Sequence, residues 1–577
     1  MPKRSPRRPF PSRAGRTAEV RKILNETRDL LLGGKSADAL AILAGAIARY
    51  AECSEVHSRH GDALYFEKQL EEAKAAYARA IRLDATNAQA WYGLGWIAFN
   101  NEEWAEAIPN FRRAIRHGRD TGDARFHLGR ALFQMGEVDA AIDEYRAAMR
   151  HLAPERRASA QLEIAKIIPG SPKRGNAEIL RERLKWARQQ ETTEALPEKP
   201  GARLRKPGEK IRVGYVSAYF GSRNWMKPVW GAINEHNRAK FAIHLFYDRE
   251  KPSAASGYRK MRGDAIHDLT GLSNAAAAKR IAKAGIAILV DLNGYSFVRR
   301  LGLWMRRPAP VLAGWFNMYA PTGIRAFDYI IGDECVIPLE EERFYTEKVR
   351  RVPGTYLAFR VLYPVPKIVP PPCLKSGRIT FGCFAPQYKI TDEMVAAWSK
   401  ILKGAPGTRL VLKNTSLHIA STRESVWRRF EKYGVARKRI LLEPPEEHRK
   451  FLNAYARVDI ALDSFPYNGG TTTMEAMWQG VPALTFRGDR WVARTSETLV
   501  RAAGLGEWVR ESKSGYIDRA VELARSNQTP GMLAGMRRGM RRRLLESKAC
   551  DTPGLCRSLE RIYEELAKKD GSRGIRQ

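Results

Sequence analysis

The sequence predicts a chain of mixed class, α followed by α/β, in which an all-α repeat region precedes two domains with parallel sheets. Its 577 residues exceed the ~250–300 that one core supports, so several domains are expected. Residues 18–190 are rich in alanine and repeat with a fixed period, which is typical of an α-solenoid. From residue 210 onward, short β-branched runs alternate with helical segments, which predicts parallel strands joined by crossover helices.

The repeat region has a period of 34 residues. Three successive copies hold glycine, alanine, an aromatic residue and alanine at the same positions: Gly61, Gly95 and Gly129; Ala73, Ala107 and Ala141; Tyr77, Phe111 and Tyr145; Ala80, Ala114 and Ala148. Antiparallel helices cross closely where Gly and Ala leave room, and the aromatic side chain fills the gap toward the next copy. The pattern resembles the tetratricopeptide repeat, whose W-x-x-L-G motif is matched by Trp91, Leu94 and Gly95. A generic helical bundle is the alternative, and agreement at four positions disfavours it.

Proline-rich and basic segments mark the predicted domain boundaries. Residues 1–17, rich in Arg, Pro and Ser, are predicted to form a disordered basic tail. Residues 191–209, with three prolines among polar residues, are predicted to form a linker. A further run of prolines between Pro364 and Pro372 separates an amino-terminal α/β domain, 210–372, from a carboxyl-terminal one with C-terminal helices, 373–577.

The charge of the chain points to anionic partners. Lys plus Arg number 99 and Asp plus Glu 63, for a net charge of +36, which favours nucleic acid, acidic proteins, a membrane surface or phosphorylated small molecules without choosing among them. An arginine cluster at residues 537–543 and the basic tail raise a nucleic-acid surface as a further hypothesis. The chain contains no recognisable nucleic-acid module, so we do not expect a nucleic-acid partner.

The sequence carries no sign of membrane insertion or of a disulfide framework. It has no run of about 18 apolar residues, and no apolar stretch follows the basic amino terminus, so we expect a cytoplasmic protein. The six cysteines lie far apart, without a C-x-x-C motif or a close group of Cys and His. We therefore expect reduced thiols and no zinc site.

The strongest candidate for a ligand site follows the predicted strand that ends at Asp463. The segment Asn468-Gly469-Gly470-Thr471-Thr472-Thr473 combines two glycines with three hydroxyls, and a helix is predicted directly after it. Free N–H groups and the helix dipole then point to one place, which predicts an anion site for a diphosphate. Glu475, in the same helix, can accept hydrogen bonds from a ribose diol. The alternatives are a capped turn without a ligand and a Glu that complements the helix dipole.

A second candidate is Lys389, in the loop after the first strand of the carboxyl-terminal α/β domain. A lysine in this loop lies at the same sheet edge as the Gly469–Thr473 segment, so it can neutralise a departing phosphate. The alternative is a solvated side chain, one of the 99 basic residues.

Several short motifs carry a resemblance to a known family. They are Gln387-x-Lys389-Ile390; Glu446-Glu447-His448; Asn468 to Thr473 followed by Glu475-Ala476; Trp478-x-Gly480-Val481-Pro482; Val213 to Ser217; Asp291 to Tyr295; and Arg307 to Pro310. Together they resemble the catalytic unit of the O-linked N-acetylglucosamine transferase and SPINDLY family, as a bacterial-type member. Tetratricopeptide repeats ahead of this unit are the family's usual order. The resemblance covers roughly residues 39–566.

The resemblance implies a GT-B architecture of two facing Rossmann-like domains. The carboxyl-terminal one would hold the nucleotide sugar, and a protein acceptor would enter from the side of the repeats. The implied donor-site roles are leaving-group stabilisation by Lys389, phosphate contacts by Gln387, Thr471 and Thr472, a nucleoside contact by His448, ribose binding by Glu475, and completion of the loop by Asn468, Gly469, Gly470 and Thr473. Arg494 is a further candidate for a donor contact. No D-x-D motif occurs, so we expect no metal and no cofactor, the nucleotide sugar being a substrate.

The chain departs from the family in the loop after its first α/β strand. The family's Asp-Phe and His-Pro pairs are replaced there by the segment from Tyr219 to Lys227, so the family's proposed proton acceptor is absent. His267 and Asp291 are the candidates for a general base. A partly buried structural histidine and a strand-end turn residue are the respective alternatives.

These observations predict a protein glycosyltransferase. It would move N-acetylglucosamine or another hexose from a nucleoside diphosphate donor, UDP-linked by resemblance, to Ser, Thr or Asn of a protein bound by the repeats. The alternative is a catalytically weak or inactive tetratricopeptide-repeat scaffold that binds partner proteins. A homodimer is also left open.

Overall fold

The computed structural model describes residues 13–191 and 208–573. The predicted basic tail up to residue 12 and most of the predicted linker lie outside these residues. The described chain divides into two units. One unit comprises the residues up to Met135 together with Asp143–Ala160, and the other comprises Gly136–Ile142 and the described residues from Gln161 onward.

The described residues before the linker form consecutive helical hairpins. The helices are α1 Arg13–Leu32, α2 Ser36–Arg49, α3 Ser54–Phe66, α4 Leu70–Leu83, α5 Ala88–Asn100, α6 Trp104–Arg116, α7 Gly122–Gln134, α8 Val138–Ala148, α9 Pro154–Ile167 and α10 Asn176–Glu191. The repeat positions explain their packing, because a Cβ added at Gly61 would lie 2.7 Å from the Tyr77 ring and one at Gly95 2.9 Å from the Phe111 ring. The predicted α-solenoid is therefore confirmed, with the Tyr77 and Phe111 rings each seated on a glycine.

Helix α10 belongs to the second unit, although the sequence places it at the end of the repeat region. The buried Arg183 of α10 donates from Nη1 to the carbonyl oxygen of Pro321 at 2.7 Å. Trp186 packs edge-to-face against Tyr295, with ring centroids 5.7 Å apart. These contacts fix α10 to the first α/β domain, which the repeat periodicity could not indicate.

The first α/β domain is a parallel sheet with the strand order β3-β2-β1-β4-β5-β6-β7. Its strands are β1 Ile211–Ser217, β2 Phe241–Tyr247, β3 Ala265–Asp268, β4 Ile288–Asp291, β5 Val311–Gly314, β6 Tyr329–Gly332 and β7 Lys348–Arg351. Its helices are α11 Arg223–Asn234, α12 Asn274–Lys283 and α13 Leu301–Trp304. The central strands are buried on both faces, as expected for a parallel sheet covered by helices.

The second α/β domain is a parallel sheet with the order β10-β9-β8-β11-β12-β13. Its strands are β8 Thr380–Cys383, β9 Arg409–Lys413, β10 Ile440–Glu443, β11 Ile460–Leu462, β12 Ala483–Phe486 and β13 Val509–Arg510. Its helices are α14 Cys373–Ser376, α15 Asp392–Gly404, α16 Ala420–Lys432, α17 His448–Asn453, α18 Thr471–Trp478, α19 Thr495–Ala502, α20 Lys513–Arg525, α21 Thr529–Leu545 and α22 Thr552–Arg573. This is the doubly wound order of a Rossmann fold, so the predicted pair of Rossmann-like domains is confirmed.

Helix α22 returns to the first α/β domain and packs against α11, β4 and β5. The Tyr215 hydroxyl in β1 donates to the Tyr563 hydroxyl in α22 at 3.1 Å. Residues of both sheets and of α22 belong to one cluster of buried apolar side chains. Within the described residues, no helix combines the length and apolarity needed to cross a membrane.

Candidate active site

A cavity of about 470 Å³ lies between the two α/β domains. The first domain lines it from the loop and helix after β1 and from the loop after β5, with Ser222, Asn224, Trp225, Pro228, Phe316, Asn317 and Tyr319. The second domain contributes the loops that follow β8 and β11. Strand order reverses between β8 and β11, which is where doubly wound sheets bind their ligands.

The loop after β11 is held in shape by a buried carboxylate. Asp463 accepts a hydrogen bond from the Gly469 N–H at 2.8 Å through Oδ1, and from the Thr485 hydroxyl at 2.7 Å through Oδ2. A Cβ added at Gly469 would lie 2.3 Å from Thr473 Oγ1, so the fold leaves no room for a larger residue. This packing explains the glycine that the sequence analysis singled out.

Helix α18 begins at the cavity, as the sequence predicts for an anion site. Gly470 precedes its first turn and provides no side-chain cap, so the first N–H groups are not satisfied by a capping side chain. Asn468, Gly469, Gly470, Thr471 and Thr472 all line the cavity. Their arrangement suits a bound anion, because the helix N-terminus carries partial positive charge. Thr473 instead turns away, and its hydroxyl bonds to Ser496 at 2.8 Å.

Lys389 joins the two loops of the second domain. Its Nζ donates to the carbonyl oxygen of Asn468 at 2.7 Å and lies 3.9 Å from the centroid of the Tyr467 ring. Burial lowers the pKa of Lys389 to about 8, and the nearby Asp463 carboxylate opposes part of that shift. The lysine thus places a cation beside the N-terminus of α18, where a diphosphate would bind.

The lowered pKa of Lys389 gives a prediction for pH dependence. If the ammonium form is the active one, kcat/KM for the donor should be constant below pH about 8 and fall about tenfold per pH unit above it. The measurement is the rate of sugar transfer at low donor concentration between pH 6 and 10. A kcat/KM that keeps rising up to pH 10 would contradict a cationic role.

Two residues that line the cavity, Glu475 and His448, belong to a cluster of four polar side chains. Glu475 Oε1 accepts a hydrogen bond from Lys227 Nζ at 2.6 Å, and Lys227 also donates to the Tyr363 hydroxyl at 2.7 Å. His448 Nε2 lies 3.5 Å from Glu475 Oε1 and 3.4 Å from the Tyr363 hydroxyl. Burial lowers the pKa of His448, while the Glu475 carboxylate opposes that shift. Both His448 and Glu475 line the cavity, as expected for nucleoside and ribose contacts.

Besides Thr473, two residues assigned to the donor by the sequence analysis do not line this cavity. Gln387 is buried and accepts a hydrogen bond from Asn414 at 3.3 Å, and its Nε2 has no partner within residues 13–191 and 208–573. Arg494 is buried and donates to the carbonyl oxygen of Gly488 at 2.7 Å and to Glu341. Arg494 thus links the two α/β domains, and the donor contacts of both residues stay predictions.

Neither candidate base lies at the cavity. His267 is in the edge strand β3, where its ring stacks on Phe246 and its Nε2 lies 3.0 Å from Nδ1 of His244. Asp291 is buried at the end of β4 and accepts hydrogen bonds from the N–H groups of Asn293 and Gly294 at 2.8 and 3.2 Å. Burial raises the pKa of Asp291 to about 7. These positions fit the alternatives given for them, a partly buried structural histidine for His267 and a strand-end turn residue for Asp291.

Several cavity residues were missed by the sequence analysis. Asn317 and Tyr319 line the cavity with positive φ angles of 61° and 54°, a conformation that is uncommon outside glycine and clusters at functional sites. The Tyr319 hydroxyl donates to Asn317 Oδ1 at 3.0 Å. Both residues follow the carboxyl end of β5, at the sheet edge where doubly wound domains bind ligands, and this position is the signal that could have found them.

One group of metal-binding side chains occurs among the described residues, away from the cavity. Ligand atoms of His236, Cys556 and Glu560 lie within 4.8 Å of one another. Glu560 already accepts hydrogen bonds from the Asn237 N–H at 2.7 Å and from Arg557 Nε at 2.8 Å. The cluster therefore serves as a polar anchor of α22 on the first α/β domain.

Two facing Rossmann-like domains, with a lysine and a helix N-terminus directed at the cleft between them, define a glycosyltransferase of the GT-B class. The chain belongs to glycosyl transferase family 41, whose profile matches residues 193–360 and 373–559. Tetratricopeptide-repeat profiles match residues 92–156 and 61–101. The predicted family is therefore confirmed.

Named relatives agree with this assignment. The chain is 30% identical over 375 residues, 63% of its length, to the probable UDP-N-acetylglucosamine–peptide N-acetylglucosaminyltransferase SPINDLY of Arabidopsis thaliana, of which it covers 40%. It is 27% identical over 370 residues to the SEC protein of the same plant, covering 62% of this chain and 37% of SEC. The chain thus spans about two fifths of the length of the curated relatives it matches.

A solved structure resembles nearly the whole chain. A variant of the Thermobaculum terrenum O-GlcNAc transferase superposes with a TM-score of 0.75 and is 27% identical. The match covers 93% of this chain and 99% of that one. This likeness extends over both the repeat region and the two Rossmann-like domains.

Proposed function

We propose that this glycosyltransferase moves a sugar from a nucleoside diphosphate donor to a side chain of a protein recruited by the repeats. The observation that carries the proposal is the convergence of Lys389 and the N-terminus of α18 on one cavity. The names of the relatives favour UDP-N-acetylglucosamine as the donor and a peptide as the acceptor. Ser and Thr are the expected acceptor residues, with Asn as an alternative.

The proposed reaction is a displacement at the anomeric carbon of the sugar, with the diphosphate as the leaving group. The acceptor oxygen attacks the anomeric carbon, the bond from that carbon to the diphosphate oxygen breaks, and the acceptor loses one proton. Negative charge grows on the leaving diphosphate, where the Lys389 ammonium and the N–H groups at the start of α18 can stabilise it. These groups are fixed before the reaction, so little reorganisation is needed. We propose that they replace a divalent metal and that no cofactor is required.

A second candidate function is a scaffold that binds a nucleotide sugar and partner proteins without transfer. The observation that favours it is the loop after β1, where the family's proposed proton acceptor is absent. In its place the Tyr219 ring stacks on Trp225, with centroids 4.7 Å apart. Turnover separates this candidate from the transferase.

Release of nucleoside diphosphate from a panel of nucleotide sugars tests the proposal. We expect one donor, UDP-N-acetylglucosamine first among them, to be consumed only when a protein lysate is present, with sugar incorporated into protein. A chelator should leave the rate unchanged. Binding of a donor without turnover would support the scaffold, whereas absence of binding to every donor would exclude both.

A further inference from the structure

Lys227 is a residue of the first α/β domain that contacts Glu475, one of the residues that line the cavity. It lies in α11, is 4% exposed, and its Nζ is 2.6 Å from Oε1 of Glu475, which is 6% exposed and belongs to α18 of the second domain. Neither charge faces bulk water. A buried ion pair of this kind is costly unless its geometry is good and its remaining hydrogen bonds are made.

The surroundings of the pair fix the ammonium. Lys227 donates a second hydrogen bond to the Tyr363 hydroxyl at 2.7 Å, and its Nζ lies 5.2 Å from the centroid of that ring. His448, Tyr455 and Arg223 are further titratable groups near the pair, and the Arg223 guanidinium lies 5.6 Å from the same ring centroid. Lys227 therefore has one well-defined position, with Glu475 as its carboxylate partner.

The two oxygens of Glu475 have different environments. Oε1 takes the hydrogen bond from Lys227 and is also the atom nearest His448. No described residue donates a hydrogen bond to Oε2, although Glu475 lines the cavity. One oxygen is thus anchored to the first domain, and the other is left to accept from a ligand.

We propose that Lys227 is a positioning residue for the donor ribose. By holding Oε1 it presents Oε2 of Glu475 to the two hydroxyls of the ribose of a nucleoside diphosphate. The inference rests on the proposed function, since it takes a nucleoside diphosphate as the occupant of the cavity. It adds that ribose recognition by the second α/β domain depends on Lys227 of the first. Lys227 belongs to the segment in which the chain departs from its family.

A positioning role for Lys227 predicts discrimination between ribose and 2′-deoxyribose, which a purely structural ion pair would not produce. A fixed carboxylate oxygen can accept from both the 2′- and 3′-hydroxyls, whereas a 2′-deoxyribose offers it one. Hydrogen bonds to a charged group stabilise a complex enough to change affinity by about 10- to 100-fold. The protein should therefore prefer a ribonucleoside diphosphate to its 2′-deoxy analogue, and the preference should depend on Lys227.

The test compares dissociation constants for UDP and 2′-deoxy-UDP by titration calorimetry, with GDP and 2′-deoxy-GDP if the donor panel identifies guanosine. The proteins are the full chain, Lys227→Met, Lys227→Arg and the control Lys283→Met, which removes an exposed lysine of α12. We expect Lys227→Met to weaken UDP binding by about 10- to 100-fold, to change 2′-deoxy-UDP binding far less, and so to bring the ratio of the two constants toward one. Lys227→Arg should recover part of the ratio, and Lys283→Met should match the full chain.

The outcomes separate this inference from the proposed function. Unchanged constants in Lys227→Met, or an equal loss for both nucleotides, would overturn the positioning role. No binding of any nucleoside diphosphate by the folded full chain would overturn the proposed function itself. If Lys227→Met does not fold, Tyr363→Phe removes a hydrogen bond to the same ammonium with little change in volume. The inference then requires a reduced ratio in that variant, and an unchanged ratio would reject it.

Discussion

Replacing Lys389 by methionine is expected to lower kcat by about 100- to 1,000-fold. Methionine is similar in length to lysine, but it loses the cation beside the proposed diphosphate site and the cation–π contact with the Tyr467 ring. Because charge grows on the diphosphate as the glycosidic bond breaks, the loss should fall more on kcat than on the affinity for the donor. The measurement is steady-state transfer with the identified donor, together with the dissociation constant for the nucleoside diphosphate.

The matched control for this variant is Lys403→Met, which removes an exposed lysine near the end of α15. It should retain the full rate. A Lys389→Met protein that folds and transfers sugar within about threefold of the unmodified chain would show that the leaving group is stabilised by other groups. A variant with unchanged kcat but weaker donor binding would restrict Lys389 to ground-state binding.

The largest expected effect on stability comes from Arg300→Met in the first α/β domain. Arg300 is 1% exposed and forms an ion pair with Asp248, also 1% exposed. It further donates to the carbonyl oxygens of Leu272 at 2.9 Å and Leu269 at 2.6 Å. Removal leaves a buried carboxylate without its cation, which costs about 3–5 kcal/mol. Thermal unfolding should shift downward by on the order of 10 °C.

The neighbouring exposed Arg299→Met is the control and should unfold within about 1 °C of the unmodified chain, since surface substitutions change little. The double variant with Asp248→Asn and Arg300→Met should recover part of the loss, because no buried charge remains. Equal destabilisation by the single and double variants would instead assign the effect to the carbonyl hydrogen bonds.

Repeating and contiguous features were predictable from the sequence. The glycine and aromatic positions at a period of 34 reflect one local packing contact made again in each copy, so they indicate the solenoid directly. The anion loop was predictable for a similar reason, since its glycines and threonines are neighbours in the chain. Strands of four residues or fewer were predicted only in part: β6, β11 and β12 lie in predicted β-branched runs, whereas β3, β5, β7 and β13 do not, since so short a segment carries little alternation.

Side-chain direction limited the prediction of the site. Gln387 and Lys389 lie in one short turn, yet only Lys389 lines the cavity. His267 and Asp291 occupy strand ends, and whether such a side chain faces the cleft depends on the packing of the neighbouring strands and loops. Lys227 lay within the segment noted as a departure from the family. Its role was not predictable because its partner, Glu475, is in the other α/β domain.

The return of α22 to the first α/β domain has a consequence for biosynthesis. During translation, the sheet from β1 to β7 emerges from the ribosome before the whole second domain, whereas the helix that covers its Tyr215 face is made after it. Until α22 arrives, an apolar surface of the first domain is open to water and to other nascent chains. Of the two α/β domains, the one made first is therefore the last to be completed, and the catalytic unit matures as one piece.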